Sequence, residues 1–169
     1  AGYDNWTHDT GTKHSGSQSL KFVHPGGTLY PAMYFTPELA EDTFTYTDLT
    51  KYIPVRPGQK FWVSFWAYAA PGNTGTNQVK GYIFCRNSPD SAGAAVEACT
   101  AVLSPGVWTQ VSGYATVPAN RDRMLPHLCS LRTGANAGDT VWFDDVECYE
   151  VTEPQNIIQA IFGGSSILS

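Results

Sequence analysis

Hydrophobic and polar positions alternate through residues 58–69, GQKFWVSFWAYA, and this alternation predicts a β-strand. Successive side chains of a strand point to opposite faces, so one face carries residues typical of a core: Phe61, Val63, Phe65, Ala67 and Ala69. The opposite face carries Trp62, Ser64, Trp66 and Tyr68. Because a half-buried strand needs only one apolar face, the second, aromatic face requires its own explanation.

The same division between two faces recurs in VKGYIFCR (79–86) and TQVSGYATV (109–117). Turn-forming stretches rich in Gly, Pro and Asn separate such segments. The pattern predicts strands at 18–23, 43–47, 60–69, 79–86, 95–103, 107–117, 124–132 and 140–151. Short strands with this turn punctuation indicate an all-β protein, folded as a two-sheet antiparallel β-sandwich.

The last residues follow a different pattern. After Pro154, apolar residues fall at helical spacing until two glycines interrupt them: Ile157, Ile158, Ile161, Phe162, Gly163 and Gly164. We therefore expect a β-sandwich over residues 1–153, followed by a short amphipathic helical or linker segment over 154–169 that leads to a further region or an oligomer contact. A tail folded back onto the sandwich is the alternative.

Composition narrows the range of partners. The chain has 169 residues, enough for one domain, and a net charge of −5 without a Lys/Arg run, which disfavours nucleic acid and anionic membranes. No segment approaches the roughly 20 apolar residues of a membrane-spanning helix, so membrane insertion is not expected. The start AGYDNW has neither an initiating Met nor a signal-peptide pattern, so we interpret the chain as a piece of a longer polypeptide.

Catalytic motifs find little support in the sequence. The four histidines, His8, His14, His24 and His127, are scattered, and no GxSxG elbow exists. The acidic cluster of Glu38, Glu41 and Asp42 is typical of a solvated surface, although paired carboxylates occur in glycosidases. We therefore expect a protein that is not an enzyme.

The four cysteines lack the CxxC spacing of a zinc or redox motif. A hairpin between predicted strands would allow Cys85 to face Cys99, and Cys129 would face Cys148 in a similar arrangement. Four buried thiols are the alternative, and the spacing does not decide between them.

Four segments, in this order along the chain, resemble carbohydrate-binding modules of the β-jelly-roll families four, nine and twenty-two. They are KHSGSQSLKF (13–22), VRPGQKFWVSFWAYA (55–69), GVWTQVSGYATVPA (106–119) and DTVWFDDVECYEV (139–151). The resemblance implies a two-sheet jelly roll that binds a polysaccharide or glycan and catalyses no reaction.

The resemblance also implies a structural calcium ion. Its favoured ligand is Asp144 in FDDV, with Asp145 second, together with carbonyls of the loop around 14–16. The carboxylate that the family carries on its first strand has no clear match here, so Asp4, Asp9 or an upstream strand would have to supply the remaining oxygens. The alternative is that Asp144 and Asp145 cap a bulge and pair with a base such as Lys13.

The aromatic face of 60–69 fits a sugar platform, because sugar rings present C–H faces that stack on aromatic rings. We expect Trp62, Trp66 and Tyr68 to join Tyr82 and Phe84 of a neighbouring strand on one sheet face. The hydroxyls of the sugar would then find hydrogen-bond partners in Arg86, Gln110 and Lys80. Otherwise the face is covered by a loop such as 29–46, or by a neighbouring subunit.

The tail NIIQAIFGGSSILS resembles segments that follow such modules in minor tail proteins of bacteriophages infecting actinobacteria. This implies a virion protein, assembled with other subunits, that recognises polysaccharide of the host cell wall. Two alternatives remain: a structural tail module whose aromatic face is a subunit interface, and an extracellular accessory module of a secreted glycoside hydrolase.

Overall fold

The computed structural model describes residues 5–29, 32–34, 49–87 and 92–152. Its strands are β1 (Trp6–Asp9), β2 (Ser19–Val23), β3 (Gly27–Leu29), β4 (Ala32–Tyr34), β5 (Ile53–Pro54), β6 (Lys60–Ala69), β7 (Gln78–Arg86), β8 (Ala94–Val102), β9 (Thr109–Thr116), β10 (Arg123–Ala135) and β11 (Thr140–Glu150). The helical content of these ranges is one 3-10 turn, Leu49–Lys51. No helix in this part of the chain has the length and apolar character needed to cross a membrane.

The strands form two antiparallel sheets that pack face to face. The first, here called the β6 sheet, has the order β1-β2-β11-β6-β9. The second, the β7 sheet, has the order β3-β10-β7-β8, and β4 and β5 also pair with β10. This confirms the predicted all-β, two-sheet sandwich. The predicted strand at 43–47 and the segment 154–169 lie outside the described residues.

The core lies between the two sheets and is built from the alternation seen in the sequence. Phe65 of β6 and Phe143 of β11 are fully buried, with ring centroids 5.7 Å apart. Trp6 of β1 closes one end of the core, 4.8 Å from the ring of Phe22. Burying each such side chain stabilises the fold by about 1.5–3 kcal/mol relative to leaving it exposed.

Glycines allow the two sheets to approach each other closely. A Cβ added at Gly113 of β9 would lie 2.0 Å from the carbonyl oxygen of Ala98 in β8. A Cβ at Gly81 of β7 would lie 2.9 Å from the ring of Phe65. Only a residue without a side chain fits at such contacts, which explains the small residues on the inner face of both strands.

The cysteine pairings suggested by the sequence are wrong. In the ladder between β7 and β8, Cys85 faces Ala94 while Cys99 faces Gly81, four positions away. This offset separates the two cysteines by about 13 Å along the strands, whereas a disulfide needs Cα atoms within about 7 Å. Cys129 and Cys148 lie in different sheets. All four are free thiols, and burial raises the pKa of Cys85 to about 11.

Candidate functional site

The aromatic side chains singled out in the sequence are divided between the two outer faces of the sandwich. Trp62, Trp66 and Tyr68 lie on the outer face of the β6 sheet, whereas Tyr82 and Phe84 lie on the outer face of the β7 sheet. The expectation of one platform on neighbouring strands is therefore wrong. The physical reason is that residues 70–77 cross from one sheet to the other instead of forming a hairpin.

On the β7 sheet, three side chains of adjacent strands form a cross-strand row, here called the Tyr82 row: Glu97, Tyr82 and His127. The ring of Tyr82 lies 4.7 Å from that of His127 at an angle of 31°. On the same face, Lys80 Nζ lies 2.6 Å from Glu97 Oε2 and 5.9 Å from the centroid of the Tyr82 ring. The half-buried ring of Tyr82 thus lies beside the Lys80–Glu97 ion pair on one sheet face.

The protonation states of this face follow from the Lys80–Glu97 contact and from burial. The hydrogen bond to Glu97 raises the pKa of Lys80, so the ammonium is charged. Burial raises the pKa of Tyr82, so its phenol stays neutral at physiological pH. His127 is only 6% exposed, and burial lowers its pKa to about 4. The face therefore offers a neutral phenol ring beside a charged ammonium and the carboxyl group that pairs with it.

Two other predicted site residues of β7 are less available. A Cβ at Gly93 would lie 2.0 Å from Cζ of Phe84, so the chain before β8 lies directly on that ring. The ring of Tyr52 also lies 6.5 Å from it. Arg86, at the end of β7, is 4% exposed. Arg86 is therefore not an exposed donor, and the ring of Phe84 is partly covered by the chain before β8.

Sequence reasoning missed Glu97 and His127 as neighbours of Tyr82. The alternation within β8 and β10 indicates which residues share a face, but not which of them stand opposite Tyr82. That relationship depends on the register, which pairs Tyr82 with Glu97 on one side and with His127 on the other.

On the β6 sheet, residues 10–18, here called the His14 loop, cover part of the aromatic face. The imidazole of His14 stacks on the indole of Trp66, with centroids 3.9 Å apart and planes at 14°. Trp66 is therefore not a free platform. Cover by a loop was the alternative drawn from the sequence, but the covering loop is 10–18; most of 29–46 lies outside the described residues.

Two adjacent aspartates hold the His14 loop in place. The backbone N–H groups of His14 and Ser15 donate to Asp144 Oδ2 at 2.7 and 3.1 Å. Asp145 accepts a hydrogen bond from the Ser15 hydroxyl, and its Oδ2 lies 2.7 Å from His14 Nδ1. These contacts, with Ser15 the stronger, lower the pKa of Asp145. Asp145 sits at a bulge of β11 with φ of 47°, a conformation that Asp tolerates better than most residues.

In this structure the oxygens of these aspartates accept hydrogen bonds from N–H groups. Calcium requires six to eight oxygen ligands, whereas N–H groups already point at Asp144 Oδ2. Asp9 likewise accepts from two backbone N–H groups and, through Oδ2, from Trp142 Nε1 at 3.0 Å. Within the described ranges, no three His, Cys, Asp or Glu residues are grouped to hold a metal. The base beside Asp145 is His14, not Lys13, and calcium stays a prediction.

The remaining predicted residues of the β6 sheet lie in separate surroundings. Tyr68 packs against Trp108 and Trp142, with ring centroids 5.3 and 5.6 Å away. Gln110 of β9 is exposed and its Nε2 donates to Ser64 Oγ at 3.4 Å. Trp62 lies at the far end of β6, where its ring is 4.7 Å from that of Tyr114.

No protein-family model matches the sequence, and no curated protein matches it significantly. Solved structures do match. One contains the N-terminal CBM22-1 and GH10 modules of Clostridium thermocellum endo-1,4-β-D-xylanase 10B complexed with xylohexaose, at 13% identity and a TM-score of 0.56. The match covers 90% of this chain and 27% of that one, so this chain spans about a quarter of its length.

Two further structures extend the comparison. The CBM22-2 xylan-binding domain of a Paenibacillus barcinonensis xylanase is 17% identical with a TM-score of 0.56, over 87% of this chain and 92% of that domain. A CBM4 structure is 16% identical with a TM-score of 0.53, over 88% and 81% of the two chains. The structural neighbours are thus carbohydrate-binding modules, and at these identities the likeness establishes the shared β-sandwich fold.

Proposed function

We propose that this chain is a non-catalytic carbohydrate-binding module that holds a polysaccharide on the outer face of the β7 sheet. The observation that carries the proposal is the half-buried ring of Tyr82 beside the Lys80–Glu97 ion pair on one sheet face. Sugar binding needs both elements. A flat ring accepts the apolar C–H face of a pyranose, and fixed polar groups accept and donate hydrogen bonds to its hydroxyls.

Each residue has a defined part in this mechanism. Tyr82 provides the stacking surface, and its neutral phenol is both donor and acceptor. Lys80 donates and Glu97 accepts, with their side chains 20% and 39% exposed. Their 2.6 Å contact holds both groups before a ligand arrives, which reduces the conformational entropy lost on binding. Binding is reversible adsorption in which no bond is broken.

The named ligands of the structural neighbours support a polysaccharide as the ligand class, since two of them are a xylan-binding domain and a complex with xylohexaose. A shallow site with one stacking ring is expected to supply about 4–6 kcal/mol, which corresponds to millimolar to tens of micromolar affinity. Several copies on one assembly would then provide avidity.

The setting that we propose is a phage tail protein that attaches to host cell-wall polysaccharide. Its support is the resemblance of the tail segment 154–169, together with the gain that a weak site obtains from many copies. An accessory module of a secreted glycoside hydrolase is the second candidate, favoured by the neighbour that carries a GH10 module. A hydrolase domain encoded in the same polypeptide would contradict the tail setting.

A glycan array that includes xylan, arabinan and galactan fragments tests the binding function. Three variants accompany the parent chain: Tyr82→Ala, Lys80→Met and, as a control at an exposed apolar residue, Val107→Ala. We expect Tyr82→Ala to weaken binding at least about tenfold, Lys80→Met to weaken it less, and Val107→Ala to leave it unchanged. Circular dichroism verifies folding. Binding that survives both Tyr82→Ala and Lys80→Met would overturn the assignment to this face.

A further inference from the structure

A second row of aromatic side chains crosses the outer face of the β6 sheet, far from the Tyr82 row. In the ladders, Tyr149 of β11 stands opposite Trp62 of β6, which stands opposite Tyr114 of β9. We call these three residues the Trp62 row. Directly opposed side chains have Cβ atoms about 5 Å apart, so three adjacent strands place aromatic residues at neighbouring positions.

The two outer residues of the Trp62 row are exposed to solvent, and Trp62 between them is half-buried. Tyr114 and Tyr149 are 51% and 54% exposed, and they are two of the four large hydrophobic residues that are exposed in the described part of the chain. The other two are valines, at 102 and 107. The His14 loop, which covers Trp66, contacts neither Tyr114 nor Trp62 through any ring contact that the structure shows. The aromatic exposure of this sheet is thus concentrated in one row.

Polar groups border the row on the same face. Two residues along each strand, about 7 Å away, the register places Glu147, Ser64 and Ser112 side by side. Ser64 is buried and accepts a hydrogen bond from Gln110, while Ser112 and Glu147 are exposed. Lys60 Nζ lies over one face of the Tyr114 ring, 4.7 Å from its centroid.

We infer that the Trp62 row is a second carbohydrate site, which takes a neutral polysaccharide chain that crosses the strands of the β6 sheet. Trp62 and Tyr114 meet edge to face, with their planes at 61°, so neighbouring sugar units would contact rings of different orientation. The hydroxyls, amide and carboxylate beside the row match the sugar hydroxyls. A protein partner is less suited, because interface cores are depleted of charged residues. Here Lys60 lies over the Tyr114 ring, and Glu147 lies two residues along β11 from Tyr149.

This inference does not rest on the Tyr82 row, because the two rows lie on opposite outer faces of the sandwich. With both sites filled, one module would bridge two polysaccharide chains, or two segments of one chain. Such bridging raises the apparent affinity for an insoluble or densely packed polysaccharide without any new contact.

Affinity electrophoresis in gels that contain xylan, arabinan or galactan separates the two sites. The variants are Tyr82→Ala, the double variant Tyr114→Ala with Tyr149→Ala, the triple combination, and Val107→Ala as a control for loss of an exposed apolar side chain. Because Tyr114 and Tyr149 are about half exposed, their replacement is expected to leave the fold intact. Sedimentation velocity of the same variants measures their oligomeric state.

We expect the gel to retard Tyr82→Ala less than the parent, and not to retard the triple variant. The double variant should have a dissociation constant roughly tenfold higher than that of the parent. Equal retardation of Tyr82→Ala and the triple variant would overturn the second site and leave the Tyr82 site standing. Retardation that depends only on Tyr114 and Tyr149 would support the second site and overturn the Tyr82 assignment. No retardation of the parent would overturn both sites. A double variant that changes only the oligomeric state would overturn sugar binding at the Trp62 row.

Discussion

The imidazole of His14 lies flat on the indole of Trp66, 3.9 Å between centroids, while its Nδ1 lies 2.7 Å from Asp145 Oδ2. One side chain thus joins a loop, the outer face of a sheet and the bulge of the last strand. The relationship explains why an outward tryptophan on β6 is half-buried and why two adjacent aspartates occur in β11: they position the loop that covers the ring.

Replacing His14 by Ala should uncover Trp66. We expect acrylamide to quench the tryptophan fluorescence of His14→Ala more strongly, and the free energy of unfolding to fall by about 1 kcal/mol because one stacked contact is lost. In a Trp66→Phe background, His14→Ala should no longer change the quenching. His8→Ala, at an exposed residue of β1, is the matched control. Unchanged quenching in His14→Ala would show that the loop does not cover Trp66 in solution.

The indole of Trp142 donates a hydrogen bond to Asp9, and this contact, helped by the backbone N–H groups of Thr12 and Gly11, lowers the pKa of Asp9 from 3.8 to about 2. A carboxylate with a lowered pKa stabilises the fold fully above about pH 3.8, and the stabilisation is lost as the pH falls through about 2. Asp9→Asn should therefore have a lower Tm than the parent at pH 5, with the difference narrowing between pH 4 and 2.

The exposed Asp122 provides the control for this pH profile. Asp122→Asn should follow the parent across the whole range, because it removes a charge without removing the Trp142 contact. A constant difference in Tm between Asp9→Asn and the parent from pH 5 to pH 2 would contradict the hydrogen-bonded role of Asp9.

Buried His127 predicts a second dependence on pH. Burial lowers its pKa from 6.5 to about 4, so protonation favours the unfolded chain. The stabilisation is full above about pH 6.5 and decreases as the pH falls to about 4, by on the order of 3 kcal/mol. His127→Gln should flatten this slope in denaturant unfolding at pH 7, 5.5 and 4, whereas His8→Gln should not. An unchanged slope in His127→Gln would rule out His127 as its source.

The close approach of β9 to β8 predicts a strong effect at Gly113. An added Cβ would lie 2.0 Å from the Ala98 carbonyl oxygen, which belongs to a backbone held in the opposite sheet. We expect Gly113→Ala to lower the free energy of unfolding by about 3 kcal/mol, measured by urea denaturation. The neighbouring, exposed Ser112→Ala should change it by less than about 0.5 kcal/mol. Equal stabilities of the two variants would disprove the close contact.

The sequence pattern predicted long strands well and short ones poorly. The alternation of residues 60–69 located β6 at both of its ends, and 79–86 missed one residue of β7. The short strands β1, β3, β4 and β5 were not predicted, because two to four residues show no periodicity of their own. Their conformation depends on pairing with a longer strand that the tertiary structure supplies.

The candidate site was predicted in its parts but not in its arrangement. Alternation correctly placed Trp62 and Tyr82 on outward faces, yet both faces look alike within a single strand. The sheet that each strand joins is decided by the crossover at 70–77 and by partners distant in sequence. For the same reason the contact between His14 and Trp66 had no signal in the local pattern.

The most direct test of carbohydrate binding on the β7 sheet is a titration of the ¹⁵N-labelled chain, followed by heteronuclear NMR. Xylohexaose and oligosaccharides of arabinan and galactan are the probes, added to millimolar concentrations. We predict that one of them shifts amide signals clustered on Gln78–Arg86, around Glu97 and around His127, and that the shifts disappear in Tyr82→Ala. Shifts confined to other surfaces, or no shift with any probe, would contradict the account.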